Sequence, residues 1–146
     1  MHLQLRLRLP SEERSVPVVR KVLGHALDVL GVEDGCVDDV ELAISEACTN
    51  VLHHAGPQDE YVVMVGIDGR DCTIEVCDEG RGFTPPPSVA AGVLIDPGAE
   101  HGRGVQLMRA LVDQLDFAAG DDRGTVVRLH KSLTYAAGAR GGPVFS

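Results

Sequence analysis

Residues 38–55 read DDVELAISEACTNVLHHA, and the spacing inside this stretch organises the reading of the whole chain. Val40, Ala43, Ile44, Ala47, Val51 and Ala55 recur at three- and four-residue intervals, which places them on one apolar arc of a helix. Glu46 and Asn50, one turn apart, stand one above the other at the margin of that arc, not on its water-facing side. Asp38 and Glu41 make a capping box for the helix start, and Gly56-Pro57 stops it. A carboxylate and a neutral carboxamide at the edge of a core admit two readings. They line a pocket for a metal-bound phosphate, or they are a half-buried pair satisfied by neighbouring backbone.

Upstream, residues 2–9 alternate strictly, with Leu3, Leu5, Leu7 and Leu9 on one face and Gln4, Arg6 and Arg8 on the other, the pattern of a half-buried strand. Ser15 reads as an N-cap with Pro17 in the first turn, followed by Val18, Val22, Leu23, Ala26, Leu27 and Leu30 at helical spacing and Gly31 at the end. Downstream, strands are expected at 61–67 and 72–78, joined by the hairpin signal Asp68-Gly69-Arg70-Asp71. Residues 79–104 are rich in Gly and Pro, include Pro85-Pro86-Pro87 and show no periodicity, which favours a mobile functional loop. A third helix at 105–114 and strands at 115–119 and 125–131 complete the core pattern. The expected domain is 1–131, with 132–146 a flexible Gly/Ala-rich tail. Hairpin-linked strands with grouped helices imply an α+β fold: a two-layer sandwich in which three helices cover one face of a mixed, mostly antiparallel sheet.

Composition narrows the classes. A chain of 146 residues with 44% hydrophobic and 24% charged residues suits one globular domain. No apolar run approaches a bilayer span and the start lacks a signal-peptide pattern, so cytoplasmic residence without membrane attachment is the default expectation. A net charge of −9 argues against direct nucleic-acid binding, and two Tyr, three Phe and no Trp leave little for base stacking. Cys36, Cys48, Cys72 and Cys77 contain no CxxC pair, and Cys72 and Cys77 fall on opposite faces of one strand, so buried thiols are expected.

Three further motifs carry chemistry. Asp78, before Glu79-Gly80-Arg81-Gly82, is in phase with Ile74 and Val76, so its carboxylate is aimed at the covered side of the sheet. There it needs a donor, which a ligand amine would supply, with Gly80 and Gly82 permitting close backbone approach; an Asp-Gly turn ending a strand is the plain alternative. Gly102-Arg103-Gly104 precedes a helix, where orphan N–H groups bind phosphate oxygens, or it is a hinge. Thr125 is in phase with Val127 and Leu129, so its hydroxyl points to the covered face. His53 and His54 diverge by about 100° on a helix, which disfavours joint metal ligation. Val93-Leu94-Ile95 is apolar within the loop and either packs back onto the domain or meets a partner.

Taken in this order, the four motifs resemble the N, G1, G2 and G3 boxes of the GHKL (Bergerat-fold) ATPase superfamily, over residues 3–131. Within it, ELAISEACTNVLHHA and the short chain look most like the anti-sigma factor serine/threonine kinases. The resemblance implies the cofactors ATP/ADP and Mg²⁺. It implies Asn50 as the Mg²⁺ ligand, Glu46 as general base or orienter of the attacking hydroxyl, and Asp78 as acceptor of the adenine amine, assisted by Thr125. Gly80 and Gly82 would shape the adenine side, while Gly102, Arg103 and Gly104 would hold phosphates as a lid over 84–101 closes. The partners it implies are a sigma factor, a STAS-domain anti-anti-sigma protein whose serine is phosphorylated, and a second copy of the chain in a homodimer. Arg14, Arg20 and Lys21 of the first helix lie in the region such proteins use. The alternative is a non-catalytic, nucleotide-gated binding module of the same fold; retention of Glu46 favours the enzyme.

Overall fold

The computed structural model describes residues 2–54, 60–78, 102–120 and 124–137. In chain order these form β1 (His2–Pro10), α1 (Ser15–Leu30), α2 (Asp34–His54), β2 (Glu60–Asp68), β3 (Asp71–Asp78), α3 (Gly102–Leu111), β4 (Gln114–Gly120) and β5 (Gly124–Ser132). The strands make one sheet in the order β1-β2-β3-β5-β4, and every neighbouring pair is antiparallel. The expected α+β class and helix-on-sheet layering hold, but the expected mixture of strand directions does not. β4 runs parallel to β3, yet β5 is inserted between them, so no parallel pair forms.

The core follows the sequence periodicities. Leu9 of β1, Tyr61, Val63, Val65 and Ile67 of β2, Ile74 and Val76 of β3, Phe117 of β4, and Val127 and Leu129 of β5 are buried in a single cluster with residues of all three helices. Gln4, Arg6 and Arg8 alternate with the leucines of β1 and are exposed. The opposite sheet face is not uniformly wet, because Cys77 and Val126 are buried there in a second, small cluster with Met64. Cys72 belongs to the main cluster and Cys77 to the other, as their opposite phases require.

Helix boundaries differ from the periodicity in instructive ways. α2 begins at Asp34, a turn before Asp38, because the Glu33 amide is already bonded to Thr134 O and Val37 N–H closes the first turn onto Glu33 O. Cys36 and Val37 extend the buried arc by that turn, and Asp34 lies where a helix dipole favours an acid. Asp38 and Glu41 therefore do not cap it; the Glu41 carboxylate instead lies over Gly24 of α1, at a point where a Cβ would collide with it. Ser15 is the first residue of α1 rather than its cap, which is Arg14, and Gly31 closes the helix at φ 90°. Of the apolar residues assigned to α1, Leu23 and Leu27 are buried, whereas Val18 and Val22 are 50% and 38% exposed and Val19 takes their place in the core.

The β2–β3 hairpin pairs Asp68 with Asp71 across Gly69-Arg70, and Gly69 adopts φ 61° while Arg70 keeps a negative φ, the signature of a type II′ turn. α3 spans 102–111 rather than 105–114, so Gly102-Arg103-Gly104 forms its first turn. At its other end Lys131 Nζ donates to Leu111 O at 2.7 Å. Residues 132–137 are docked where a loose tail was expected, and the rest of that tail, 138–146, lies outside the described residues. Ser132 completes β5, Leu133 is 3% exposed, Leu133 N–H bonds to Arg70 O, Tyr135 bridges to Val32, and Tyr135 Oη donates to Gly69 O at 2.6 Å. Among the described residues, no helix is long and apolar enough to cross a membrane.

This clasp should matter for stability. Leu133→Ala is expected to lower the unfolding free energy by about 2–5 kcal/mol, the usual range for a buried leucine. Chain termination after Ser132 should do at least as much. Urea denaturation followed by circular dichroism measures both; unchanged midpoints would show the clasp to be dispensable.

Candidate functional site

Seating α2 on the sheet decides where its polar margin goes. Val40, Ala43, Ile44, Ala47 and Val51 are at most 1% exposed, so the expected arc is the buried one. Glu46 is half-buried and Asn50 is 9% exposed, with its Oδ1 sealed from solvent. A charged group at the rim and an amide just inside it are what the wheel requires when the arc faces the sheet.

Across the layer interface, β3 delivers Asp78. It is in phase with the buried Ile74 and Val76 and is itself 6% exposed, so its carboxylate lies on the helix-covered face. Its cross-strand partner is Tyr61, which is wholly buried. Tyr61 Oη lies 2.5 Å from Ser15 Oγ, so the start of α1 is tied to the β2–β3 pair through one tyrosine. Burial pushes the Cys48 thiol up to about 12, against a smaller lowering by Tyr61, and burial also raises Tyr61 itself. Both groups are neutral at physiological pH.

α3 packs on α2 and brings its glycine turn to the same rim. A Cβ at Gly104 would stand 2.9 Å from Glu46 Oε1, so a larger residue there would make the carboxylate shift. The turn is a helix N-terminus, where backbone N–H groups are unspent and the dipole favours negative charge. Gly102 and Arg103 occupy the first two positions of the same helix. Thr125 precedes Val126, the partner of Cys77, so its backbone lies at the Asp78 end of the sheet.

Of the residues singled out from sequence, Glu46 meets Gly104 where α2 packs on α3, Asn50 lies one turn along α2, and Asp78 is buried at the end of β3. Gly80, Gly82 and the 84–101 segment, including Val93-Leu94-Ile95, lie outside the described residues. His53 is exposed on α2. Among the described residues, no group of three or more His, Cys, Asp or Glu gathers to hold a metal. A divalent cation at this rim would be carried mainly by phosphate oxygens, with the neutral Asn50 side chain as the protein ligand. The sequence reading did not connect Ser15 and Tyr61; the available signal was Tyr61 in phase with Val63 and Val65, a core-facing phenol that must find a partner.

Comparison with known proteins bears on the family and the fold. The family model described as a histidine kinase-like ATPase domain matches residues 9–131. Serine-protein kinase RsbW from Bacillus thuringiensis (strain Al Hakam) is 26% identical over 140 residues, covering 89% of this chain and 85% of that protein. RsbW of Bacillus cereus (strain AH820) matches to the same extent. Among solved structures, the RsbU and RsbW domains of Rv1364c from Mycobacterium tuberculosis superpose with a TM-score of 0.66 at 21% identity. That match covers 92% of this chain and 34% of the other, and it shows a shared fold. The chain belongs to the histidine kinase-like ATPase domain family, among the GHKL-type ATPases that include the anti-sigma factor kinases.

Proposed function

We propose that this protein is an ATP-dependent serine kinase that also sequesters a sigma factor, its substrate being a serine of a STAS-type anti-anti-sigma protein in the cytoplasm. The observation that carries this reading is the meeting of Glu46, one turn from the buried Asn50, with the glycine turn that opens α3. Similarity to proteins named serine-protein kinase supports it.

Bound ATP with Mg²⁺ would supply the phosphoryl group and neutralise its charge. The chain's own residues then have distinct tasks. Asp78, held on the covered face, accepts from the exocyclic amine of adenine, with Thr125 at the same end of the sheet. Asn50 offers a neutral oxygen to the cation. The N–H groups at the start of α3, with Arg103, bind phosphate oxygens. Gly80 and Gly82 shape the adenine side. Glu46, at the half-exposed rim where a protein substrate can reach, takes the proton of the attacking serine hydroxyl.

The first helix supports a docking role. Val18, Val22 and Val29 of α1 are 50%, 38% and 65% exposed and fall on one stripe. Residues 1–31 carry Arg6, Arg8, Arg14, Arg20 and Lys21 against Glu12, Glu13 and Asp28, while the whole chain has a net charge of −9. Of these, Arg14, Arg20 and Lys21 belong to α1 and its cap, whereas Arg6 and Arg8 lie on the open face of the sheet. The α1 stripe itself therefore suits a largely apolar partner surface. This flank is where we place the sigma factor contact and the homodimer.

Incubation with γ-labelled ATP, Mg²⁺ and STAS-domain proteins of the same genome should transfer label to one of them. Binding of ATP without any transfer would favour the non-catalytic binding module. Glu46→Ala should reduce transfer by about 10²–10⁴-fold while sparing ATP affinity, whereas Asp78→Asn should weaken ATP binding itself. Gly104→Ala should preserve or raise stability, since alanine favours a helix by about 1 kcal/mol, yet lower transfer by displacing the Glu46 carboxylate. For the docking flank, Val22→Asp should abolish capture of the sigma factor in a pull-down while leaving ATP affinity intact; undiminished capture would move the interface elsewhere.

A further inference from the structure

α3 lies antiparallel along α2. Gly104 stands against Glu46 at one end of the pair, and at the other Lys131 Nζ joins Leu111 O, at 2.7 Å, to Asp39 Oδ2, at 3.6 Å. Glu41, which meets α1, is five residues from Glu46, so the two side chains point about 140° apart and α1 lies on the far side of α2. Leu42 and Leu107 fall within the α2–α3 seam, Leu42 one turn before Glu46 and Leu107 one turn after Gly104. The next residues, Ala43 and Met108, are 1% and 0% exposed and form the inner side of the seam. Leu42 is 42% exposed and Leu107 half-buried, so both take its solvent side. The other exposed large hydrophobics among the described residues, Val18, Val22 and Val29, all belong to α1.

The position of Leu42 relative to Glu46 decides what covers it. Asn50, assigned to the cation, lies one turn past Glu46, whereas Leu42 lies one turn before it. A nucleotide held on the Asn50 side leaves the Leu42 side of the carboxylate to the protein that brings the hydroxyl. A serine presented to Glu46 carries its neighbouring residues over the same rim. Leu42 and Glu46 stand about 6 Å apart along the helix axis. An extended chain advances about the same distance in two residues, with both side chains on one face. Two leucines fall far short of the roughly 800 Å² per partner that a stable dimer needs, so the patch suits one apolar side chain of a short segment and not a second copy. We propose, on the kinase reading above, that Leu42, flanked by Leu107, is a specificity-determining residue for phosphoryl transfer. It receives an apolar side chain two residues from the acceptor serine of the protein substrate.

The test is steady-state transfer from γ-labelled ATP, with Mg²⁺, to the STAS-domain protein that wild type labels, using full chains carrying Leu42→Asp, Leu42→Ser or Leu42→Met. Leu42→Asp and Leu42→Ser are expected to raise KM for the STAS protein by about tenfold, with kcat and ATP affinity unchanged. Leu42→Met, which keeps the apolar volume, should stay near wild type. Alanine in the STAS protein at the apolar position two residues from the labelled serine should raise KM similarly, and no further in combination with Leu42→Ser. An unchanged KM in Leu42→Ser would overturn the specificity role, and this variant decides the matter if Leu42→Asp fails to fold. A fall in kcat at constant KM would also overturn it and place the residue in support of Glu46. So would polar residues at both positions two away from the labelled serine, or a loss of dimer in sedimentation with KM unchanged, which would assign the patch to a second copy. Absence of label on every STAS protein, with wild type still binding ATP, would instead overturn the kinase reading, and this role with it.

Discussion

The contact on which the rest depends is the seating of α2 on the sheet. Its buried arc is built from Val40, Ala43, Ile44, Ala47, Cys48 and Val51, with no aromatic side chain. Small residues let the helix approach closely, and added volume beneath such a helix costs about 1–3 kcal/mol. Close approach sets the rim: Glu46 is left half-exposed and Asn50 nearly covered because the arc between them and the sheet is full. α1 and α3 then pack against α2 from either side, each meeting one of its acids at a glycine, Gly24 against Glu41 and Gly104 against Glu46.

These two glycines work differently. At Gly24 the gap accommodates a side chain that lies across a helix pair and has no assigned chemistry. At Gly104 the gap brings a carboxylate to the first turn of a helix, where charge is favoured by the dipole and where a phosphate would also be drawn. The same rim thus presents an acid, an amide and unspent backbone donors. On the sheet side the wholly antiparallel order puts β5 beside β3, so Asp78 and the start of β5 share one end. The opposite end is closed by Leu133 and Tyr135, which tie the chain beyond β5 to the β2–β3 turn and to the link between α1 and α2.

Much of this was legible without coordinates. The alternation of β1, the arc of α2, the phase of Asp78 and the opposed phases of Cys72 and Cys77 all rest on periods of 2 and 3.6, which hold wherever one face is buried. Legibility failed where a tertiary partner replaced a local signal. Asp38 and Glu41 make a sound capping box, but Thr134 supplies an acceptor for Glu33 N–H and the helix starts a turn earlier. Val18 and Val22 have the spacing of core residues, but the sheet meets the neighbouring stripe through Val19, Leu23 and Leu27. Residues 132–137 have no periodic pattern, and they are held by a single leucine, one tyrosine hydroxyl and backbone bonds that no local pattern encodes.

By itself the sequence determined the elements and most of their buried faces, because each depends on spacing along one helix or strand. Only the tertiary structure decided which groups meet. The approach of Gly104 to Glu46, the contact between Ser15 and Tyr61, and the insertion of β5 between β3 and β4 join residues 46 to 58 positions apart or reorder whole strands. Such contacts arise from the packing of surfaces in three dimensions, and periodicity carries no information about which surface will arrive opposite.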